Sequence, residues 1–274
     1  MQWEQLSASD FARAVKRTGV CIVPMGVMEK HADHLPLGTD MLASHRLACL
    51  AAVKEPAVVF PPFYFGQIFE ARCFPGTLTI KPTLLLELLE AVLDDIGRNG
   101  FKKIILFNGH GGNNALLMLL AQSSLWRQKP YSVYVVKGAG GKALLTPQQV
   151  KQWDAMMETP YHGHACECET SISLALHPEL VKMNRVRRRG GAPLNRLAAI
   201  PAAFTGIGWY ADHPEHYAGD ARPATASKGA KLVGMIVDGL SRFIADVKAD
   251  KIAPALEREF FRRANGLARA RHSG

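Results

Sequence analysis

Apolar and polar positions alternate along the chain in blocks that predict buried strands separated by amphipathic helices. Five segments have a strand-like pattern: 20–25, 57–65, 76–80, 103–107 and 131–136. Residues 103–107 form the clearest apolar run, whereas Pro61 and Pro62 interrupt residues 57–65. We therefore predict at least one well-formed central strand with weaker strands beside it.

Helical periodicity fills the intervals between these strands. The predicted helices are 40–53, 82–99, 113–128 and 224–247. Thr39 and Asp40 supply an N-terminal cap signal, and Pro82 stands in the first turn, where proline is tolerated. Strands that alternate with helices favour an α/β fold, a mainly parallel sheet covered by helices on both faces. Because no repeat or linker divides the chain, we predict a single domain over 1–274.

Composition restricts the classes of protein that this chain can belong to. The chain has 274 residues, of which 48% are hydrophobic, yet no apolar run approaches the roughly 18 residues of a membrane helix. The first five residues include Glu4 where a signal peptide would be basic. The five cysteines are odd in number and lack a disulfide spacing. We expect a cytoplasmic protein with no membrane association.

Positive charge raises the question of nucleic-acid binding. The 33 basic and 24 acidic residues give a net charge of +9. The excess lies mainly in the run 185–189 and in a basic C-terminal tail of about 257–274. No nucleic-acid-binding motif accompanies them. We interpret these stretches as a solvated loop and a polar tail, and expect no specific nucleic-acid partner.

Three short segments concentrate carboxylates and imidazoles: 29–40, 108–113 and 164–171. Oxygen and imidazole ligands without paired thiolates are typical of hydrolytic Zn, Mn or Fe sites. Glu29 and His31 follow the first predicted strand, and His110 follows the central one. Because sites in open α/β sheets form beyond the carboxyl ends of strands, these segments are expected to converge. The sequence thus predicts a metal-dependent hydrolase.

Each element also has a purely structural interpretation. Asp40 alone would be a helix cap, Glu29 a solvated acid, and His34 a residue that hydrogen-bonds its own loop. The glycine-rich turn at 108–113 resembles an anion-binding turn but lacks the lysine of a P-loop. Cys166 and Cys168 form a C-x-C that is too short for a zinc knuckle. The joint occurrence of the three segments favours the metal site.

The three segments together resemble the creatininase (creatinine amidohydrolase) family. E-x-H followed by H-L-P-L-x-x-D, then N-G-H-G-G-N, then H-A-x-E-x-E-T-S, occur in the family's order and spacing over roughly residues 18–240. The resemblance implies a three-layer α/β/α sandwich with a mainly parallel central sheet. It also implies a homo-oligomer, commonly a hexamer, and a site with two divalent ions per chain, Zn, Mn or Fe.

Metal ligands are implied by the same resemblance. Glu29, Asp40 and His110 resemble the ligands of one ion, and His31 and Asp40 resemble ligands of the second, with Asp40 bridging. Creatininase proper has a tyrosine and a metal-binding glutamate directly after its second-motif histidine. Here Gly111 and Gly112 occupy those positions, so one ligand is missing. Glu167 is the candidate that we predict to replace it.

Catalytic roles follow from the third motif. Glu169 resembles the acid/base carboxylate, and His164 resembles the histidine beside the substrate carbonyl, where it would stabilise an oxyanion. We predict hydrolysis of a C–N bond in a small cyclic amide or formamide by a metal-bound hydroxide. Creatinine itself is not the expected substrate, because Gly111 and Gly112 replace Tyr-Glu.

Two other classes of function remain open at this point, a two-metal phosphoesterase and a family member that binds ligand without catalysis. The aromatic and histidine residues of 208–220 either line the pocket mouth or bury a loop against a neighbouring subunit.

Overall fold

The computed structural model describes residues 1–270. Its main sheet has four parallel strands in the order β2-β1-β3-β4, and a separate antiparallel pair joins β5 and β6. The strands are β1 (Val20–Met25), β2 (Val58–Val59), β3 (Lys103–Asn108), β4 (Ser132–Val135), β5 (His162–His164) and β6 (Ala218–Gly219).

Helices surround the main sheet. They are α1 (Ala8–Thr18), α2 (Thr39–Lys54), α3 (Pro82–Arg98), α4 (Asn113–Ser123), α5 (Pro147–Met156), α6 (Glu167–Leu176), α7 (Gly208–Asp212), α8 (Ala226–Ala249) and α9 (Ile252–Ala270). Local signals explain several of their ends. Ser7 accepts a hydrogen bond from the Asp10 backbone N–H at the start of α1, and Gly19 ends the helix with φ of 63°.

Side-chain alternation along the buried central strands creates two cores. From β1, Ile22 faces a core that it shares with α2, α6 and α8, while Val23 faces the opposite core, built with α1, α3 and α4. In β3, Ile105 and Leu106 divide in the same way. Every β1 and β3 residue except Lys103 is buried. The expected three-layer α/β/α sandwich is therefore confirmed.

The strongest sequence patterns became the most regular elements. β1 and β3 match their predictions, and α2, α3 and α8 agree to within two residues at each end. Residues 57–65 were predicted as a strand, but only Val58–Val59 pair as one. Pro61 and Pro62 lack the N–H that a ladder needs. The segment 76–80 contributes a single bridge, between Leu78 and Met28.

The helix predicted over 113–128 is also shorter than expected. It ends at Ser123, where two consecutive serine hydroxyls bind nearby carbonyls. Ser123 Oγ donates to the Leu119 carbonyl at 2.8 Å, and Ser124 Oγ donates to the Ala121 carbonyl at 2.7 Å. Serine side chains that bond locally in this way compete with helix continuation.

The basic C-terminal stretch differs most from its prediction as a polar tail. Residues 252–270 form α9, while residues 271–274 lie outside the described part of the chain. Asp250 Oδ1 accepts the Ile252 backbone N–H at 2.7 Å at the start of the helix. Phe261 is buried, and Ser132 Oγ donates to Glu257 at 2.5 Å. The polar composition of this stretch did not indicate that α9 would form and contact the edge strand β4.

Within residues 1–270, no helix combines the length and the apolar character that a bilayer crossing requires.

Candidate metal centre

Sheet topology brings the first two motifs together. β1 and β3 are parallel neighbours whose last residues, Met25 and Asn108, are in register. The loops that leave these strands therefore start side by side, and they carry Glu29, His31 and His110. All three side chains are buried. This is the crevice in which open α/β sheets place their sites.

A glycine lets α2 deliver Asp40 to the same place. Gly109 follows β3 and packs under the first turn of α2. A Cβ on Gly109 would lie 2.8 Å from the Asp40 carbonyl oxygen and 2.9 Å from the Met25 carbonyl oxygen. Any other residue would push the helix away from the strand ends. The buried Asp40 carboxylate consequently points back at both loops.

The two oxygens of Asp40 face two different imidazoles. Oδ1 lies 3.0 Å from Nε2 of His31, and Oδ2 lies 2.9 Å from Nδ1 of His110. Glu29 Oε1 lies 2.9 Å from the same His110 nitrogen and 3.9 Å from Nε2 of His31. The structure thus brings together four of the predicted ligands around two adjacent points.

Hydrogen bonds fix which nitrogen of each imidazole faces the carboxylates. His110 Nε2 lies 3.0 Å from the Gln67 carbonyl oxygen, and His31 Nδ1 lies 3.3 Å from the Glu29 carbonyl oxygen. Because a carbonyl only accepts, those nitrogens carry protons. In the neutral rings, Nδ1 of His110 and Nε2 of His31 keep a lone pair. Histidines that ligate metals are oriented by this kind of outer hydrogen bond.

Charge in the cluster is unbalanced without a cation. Burial alone would lower the pKa of His31, but the carboxylates of Asp40 and Glu29 outweigh it and raise that pKa to about 9. The pKa of His110 is likewise raised well above its usual value against the effect of burial, chiefly by Glu29. Burial would raise the pKa of Glu29, yet His110 and His164 lower it well below its usual range. Buried carboxylates here demand positive charge.

Two buried oxygens show that a metal ion fits. Within the described residues, neither Glu29 Oε1 nor Asp40 Oδ2 has a hydrogen-bond partner of normal geometry. Both face Nδ1 of His110 at 2.9 Å, the nitrogen that has a lone pair when the ring is neutral. Three lone pairs directed at one point repel one another unless a cation or proton lies between them. Carboxylate oxygen with imidazole nitrogen is a donor set that suits Zn or Mn.

His216 belongs to the cluster, although we did not predict it as a site residue. Its Nε2 donates to Glu29 Oε2 at 2.5 Å, and its Nδ1 accepts the Trp209 indole N–H at 3.1 Å. The residue is buried and has φ of 53°, a left-handed conformation that costs energy for a non-glycine residue. Trp209 and His216 therefore hold the second oxygen of Glu29. The crowding of histidines and aromatics in 209–220 was the only signal in the sequence.

His164 lies at the end of β5 with its ring against that of His31, at a centroid separation of 4.2 Å. Its Nε2 donates to the Lys30 carbonyl at 2.7 Å. Burial is the main reason that the pKa of His164 falls to about 3, so the ring is neutral. A neutral ring whose proton is committed to Lys30 has only a lone pair at Nδ1. This geometry does not favour the predicted role as an oxyanion donor.

Glu169 stands in the first turn of α6, half-buried on the wall of the same cavity. Its Oε2 accepts the Ala165 backbone N–H at 2.5 Å. Burial, followed by the neighbouring Cys166, raises the pKa of Glu169 to about 8. One Glu169 oxygen and one ring nitrogen from each of His31 and His164 lie within 4.8 Å of one another. The predicted acid/base residue is thus at the cluster.

Glu167, predicted as the replacement ligand, is not brought to the cluster. Its fully buried carboxylate accepts Lys228 Nζ at 2.6 Å and Thr159 Oγ1 at 2.8 Å. It also accepts the backbone N–H groups of Glu158 and Thr159 at 3.0 Å. A carboxylate with this many donors has no lone pair to offer an ion in the cavity. The prediction assigned Glu167 to the wrong face of α6.

Gly112 and His34 belong to the second and first predicted motifs. A Cβ on Gly112 would lie 2.3 Å from Gln67 Oε1 and 2.6 Å from His110 Nε2, so the loop carrying Gln67 leaves no room for a side chain there. His34 does not bond its own loop: its Nε2 lies 2.9 Å from Thr170 Oγ1 on α6. This buried hydrogen bond links the first motif to the third.

A cavity of about 880 Å³ opens onto these groups. Its walls include Glu29, Asp40, His110 and Glu169, with Trp209 and Phe204 among the aromatic residues. The volume lies toward the upper end of the roughly 300–1,000 Å³ typical of small-molecule sites. The segment at 208–220 therefore does line the pocket.

Comparisons with known proteins agree with this architecture. The sequence model of the creatininase (creatinine amidohydrolase) family matches residues 4–244. The chain is 31% identical to a mycofactocin precursor peptide peptidase of Mycolicibacterium smegmatis, covering 84% of this chain and 86% of the relative. It is 26% identical to a 3-dehydro-scyllo-inosose hydrolase of Thermotoga maritima, covering 92% of this chain and 86% of the relative. A solved creatinine amidohydrolase superposes with a TM-score of 0.77 at 20% identity, covering 91% of this chain and 98% of the solved chain.

Proposed function

Because the chain belongs to the creatininase family of hydrolases, we propose that it is a dinuclear metal-dependent hydrolase that cleaves a C–N bond of a small amide, cyclic amide or formamide. One observation carries the dinuclear assignment. The two oxygens of Asp40 face different imidazoles, His31 and His110, as a bridging carboxylate would. Solved creatininases with this fold include a Mn form and a Zn–Zn form.

The ligand sets follow from these contacts. Glu29, Asp40 and His110 would hold one divalent ion, and His31 with the other Asp40 oxygen would hold the second. Divalent ions bound there would lower the pKa of water and polarise a carbonyl. Their identity is proposed as Zn, Mn or Fe because the donors are carboxylates and imidazoles.

The chain's own residues would position the substrate and move protons. Glu169 is half-buried on the cavity wall and within 4.8 Å of the His31 ring nitrogen, so it can take a proton from water and return it to the leaving nitrogen. His164, with its proton held by the Lys30 carbonyl, would accept a hydrogen bond from a substrate N–H through Nδ1. His216 would keep Glu29 oriented.

Metal analysis of purified protein tests this proposal directly. We expect up to two divalent ions per chain, and Asp40→Ala should lose both, because each set shares that carboxylate. Asp33→Ala is the matched control, since Asp33 is an exposed acid on the loop that precedes α2. A metal content in Asp40→Ala equal to that of the control would contradict the bridging role.

A second candidate reaction is cleavage near the end of a short peptide. The cavity of about 880 Å³ exceeds what a small lactam fills, and one relative is named as a precursor peptide peptidase. A panel of formamides, cyclic amides, short peptides and phosphoesters, assayed with the metal-loaded protein, separates these reactions. Turnover of phosphoesters alone would contradict C–N hydrolysis.

Assembly into a homo-oligomer, with a hexamer as the expectation from the family, forms part of the same proposal. It is supported by large apolar side chains on the surface: Trp126 is 93% exposed and Phe204 is 99% exposed. Light scattering after size exclusion should give a mass above the 30.0 kDa chain. Trp126→Glu should reduce that mass if this side chain lies in the interface.

A further inference from the structure

A second group of metal-ligating side chains lines the same cavity and takes no part in the proposed chemistry. It consists of His162, Cys166 and Cys168, and we call it the thiol cluster. One ring nitrogen of His162 and the two sulfurs all lie within 4.8 Å of one another. The sulfurs are 3.2 Å apart, longer than the roughly 2.05 Å of a disulfide, so they are two free thiols.

Local structure holds the two sulfurs on one side of the chain. Cys166 is the N-cap residue of α6 in an extended conformation, and Cys168 lies in the first turn. The turn from the cap into the helix brings their side chains together despite only two residues of separation. His162 comes from β5, which pairs with β6 and is thereby fixed beside the start of α6.

Exposure distinguishes this group from cysteines that only fill space. Cys166 is buried, Cys168 is half-buried and His162 is exposed, and all three line the cavity. The group is therefore anchored at its sulfur end and open at its imidazole end. Cys21, by contrast, is wholly buried between apolar side chains of the core, and Cys73 is exposed and stands apart from the group.

We propose that the thiol cluster binds one thiophilic divalent cation, of the Zn²⁺ or Cd²⁺ type, separate from the carboxylate and imidazole centre. Two cysteines with one histidine form a protein donor set known for zinc, with a fourth position left for solvent or another ligand. Here that position opens onto the cavity. Zn–S bonds of about 2.3 Å require the sulfurs to separate by about 0.5 Å, which a side-chain rotation supplies.

The softness of the donors distinguishes this site from its neighbour. Thiolates select soft ions, whereas carboxylate oxygens suit Mn²⁺ and Mg²⁺. Cd²⁺ is the probe of choice, because only cadmium bound to thiolate gives the ultraviolet thiolate-to-cadmium charge-transfer band. Carboxylate and imidazole ligands do not produce it. The signal therefore reports the thiol cluster even when Cd²⁺ also enters the other centre.

The experiment titrates reduced, metal-stripped full-length protein with Cd²⁺ under anaerobic conditions. We expect a charge-transfer band that saturates at one thiolate-bound ion per chain in the wild type and in the control Cys73→Ala. The double variant Cys166→Ala, Cys168→Ala should lose the band. His162→Ala should weaken binding at least about tenfold, the loss that removing even an outer-shell partner causes.

A measurement on the unmodified protein guards against misfolded variants. Cd²⁺ should protect the half-buried Cys168 from alkylation by iodoacetamide, while the exposed Cys73 in the same molecules is labelled at its original rate, as peptide mass spectrometry will show. Equal labelling of Cys168 with and without Cd²⁺ overturns the proposal. A band of undiminished intensity in the double variant overturns it as well.

Discussion

Glu167 and Glu169 lie two residues apart in the first turn of α6, yet the fold gives them opposite surroundings. Glu167 is fully buried, and its carboxylate accepts two side-chain and two backbone donors. Glu169 is half-buried, faces the cavity and accepts one backbone N–H. Their pKa values move in opposite directions. A buried carboxylate surrounded by hydrogen-bond donors is held in a structural role. A carboxylate with few donors around it remains available for chemistry.

The electrostatic contrast has identifiable causes. Burial would raise the pKa of Glu167, but Lys228 and Thr159 outweigh it and lower that pKa below its usual value. For Glu169, burial and the neighbouring Cys166 act together and raise the pKa to about 8. Substitutions at the two positions should therefore separate stability from activity.

The largest expected effect is on turnover. Glu169→Gln should lower kcat by about 10²–10⁴-fold, the usual contribution of general acid–base catalysis, while metal content stays at the wild-type level. Glu167→Gln is the matched control and should keep kcat within about tenfold at a temperature well below its unfolding midpoint. If Glu169→Gln instead loses one metal ion, Glu169 is a ligand and its proposed role is wrong.

A smaller effect is expected at His216. His216→Ala removes the N–H that holds Glu29 Oε2 and should weaken metal affinity by about 10–100-fold, as the loss of outer partners of metal ligands does. Trp209→Phe keeps the ring but removes the indole N–H, so it should cause a smaller loss. Competition with a chelator of known affinity measures both. Unchanged affinity in His216→Ala would leave His216 a packing residue only.

Substitution of Glu167, the other acid of the pair, should lower the stability of the protein. Glu167→Gln removes the charge that Lys228 Nζ contacts at 2.6 Å and should lower the free energy of unfolding by about 1–3 kcal/mol near pH 7. Glu169→Gln, which has fewer donors to lose, should cost less. Urea unfolding of both variants without metal ions provides the comparison. A greater loss in Glu169→Gln would reverse the assignment of structural and catalytic acids.

The smallest expected effect is the pH dependence of the difference in unfolding free energy between the wild type and Glu167→Gln. Because the folded-state pKa of Glu167 is lowered, its stabilising contribution is present above the unfolded-state pKa of about 4.3. It is lost as pH falls through the lower folded-state value. The difference in unfolding free energy between wild type and Glu167→Gln should therefore be constant above about pH 6 and shrink below pH 4. A difference that grows on acidification would contradict the lowered pKa.

Local sequence patterns predicted the elements that depend on local information. The apolar run in β3 specifies a buried strand without reference to the rest of the chain. α2 begins within one residue of its prediction, but the predicted Thr39 and Asp40 cap signal did not act as a cap, because Gly38 is the N-cap residue and no side chain caps the helix. Glu29 and His31 follow β1 and His110 follows β3, so adjacent parallel strand ends bring these three together, and Asp40 joins them from the first turn of α2. Glu167 could not be assigned in this way, because its partner Lys228 is 61 residues distant.

Long-range contacts also explain why His216 and α9 were not predicted from the sequence. His216 reaches Glu29 across 187 residues, and no spacing rule relates two such positions. α9 is stabilised by contacts such as Ser132 with Glu257, which composition alone does not encode. Thus the convergence of Glu29, His31, Asp40 and His110 was predictable from the motifs, whereas the surroundings of Glu167 and the outer partner His216 were not.

The span between Glu29 and His216 has a consequence for folding. Their hydrogen bond closes most of the chain into one loop, so the cluster is complete only after the sheet has formed and the segment after β5 has returned to it. Any ion that binds the assembled cluster and not the unfolded chain stabilises the whole domain, by about 2.7 kcal/mol at one hundred times its dissociation constant. An occupied centre would therefore act as a long-range cross-link between the two ends of this loop and add to the free energy of unfolding.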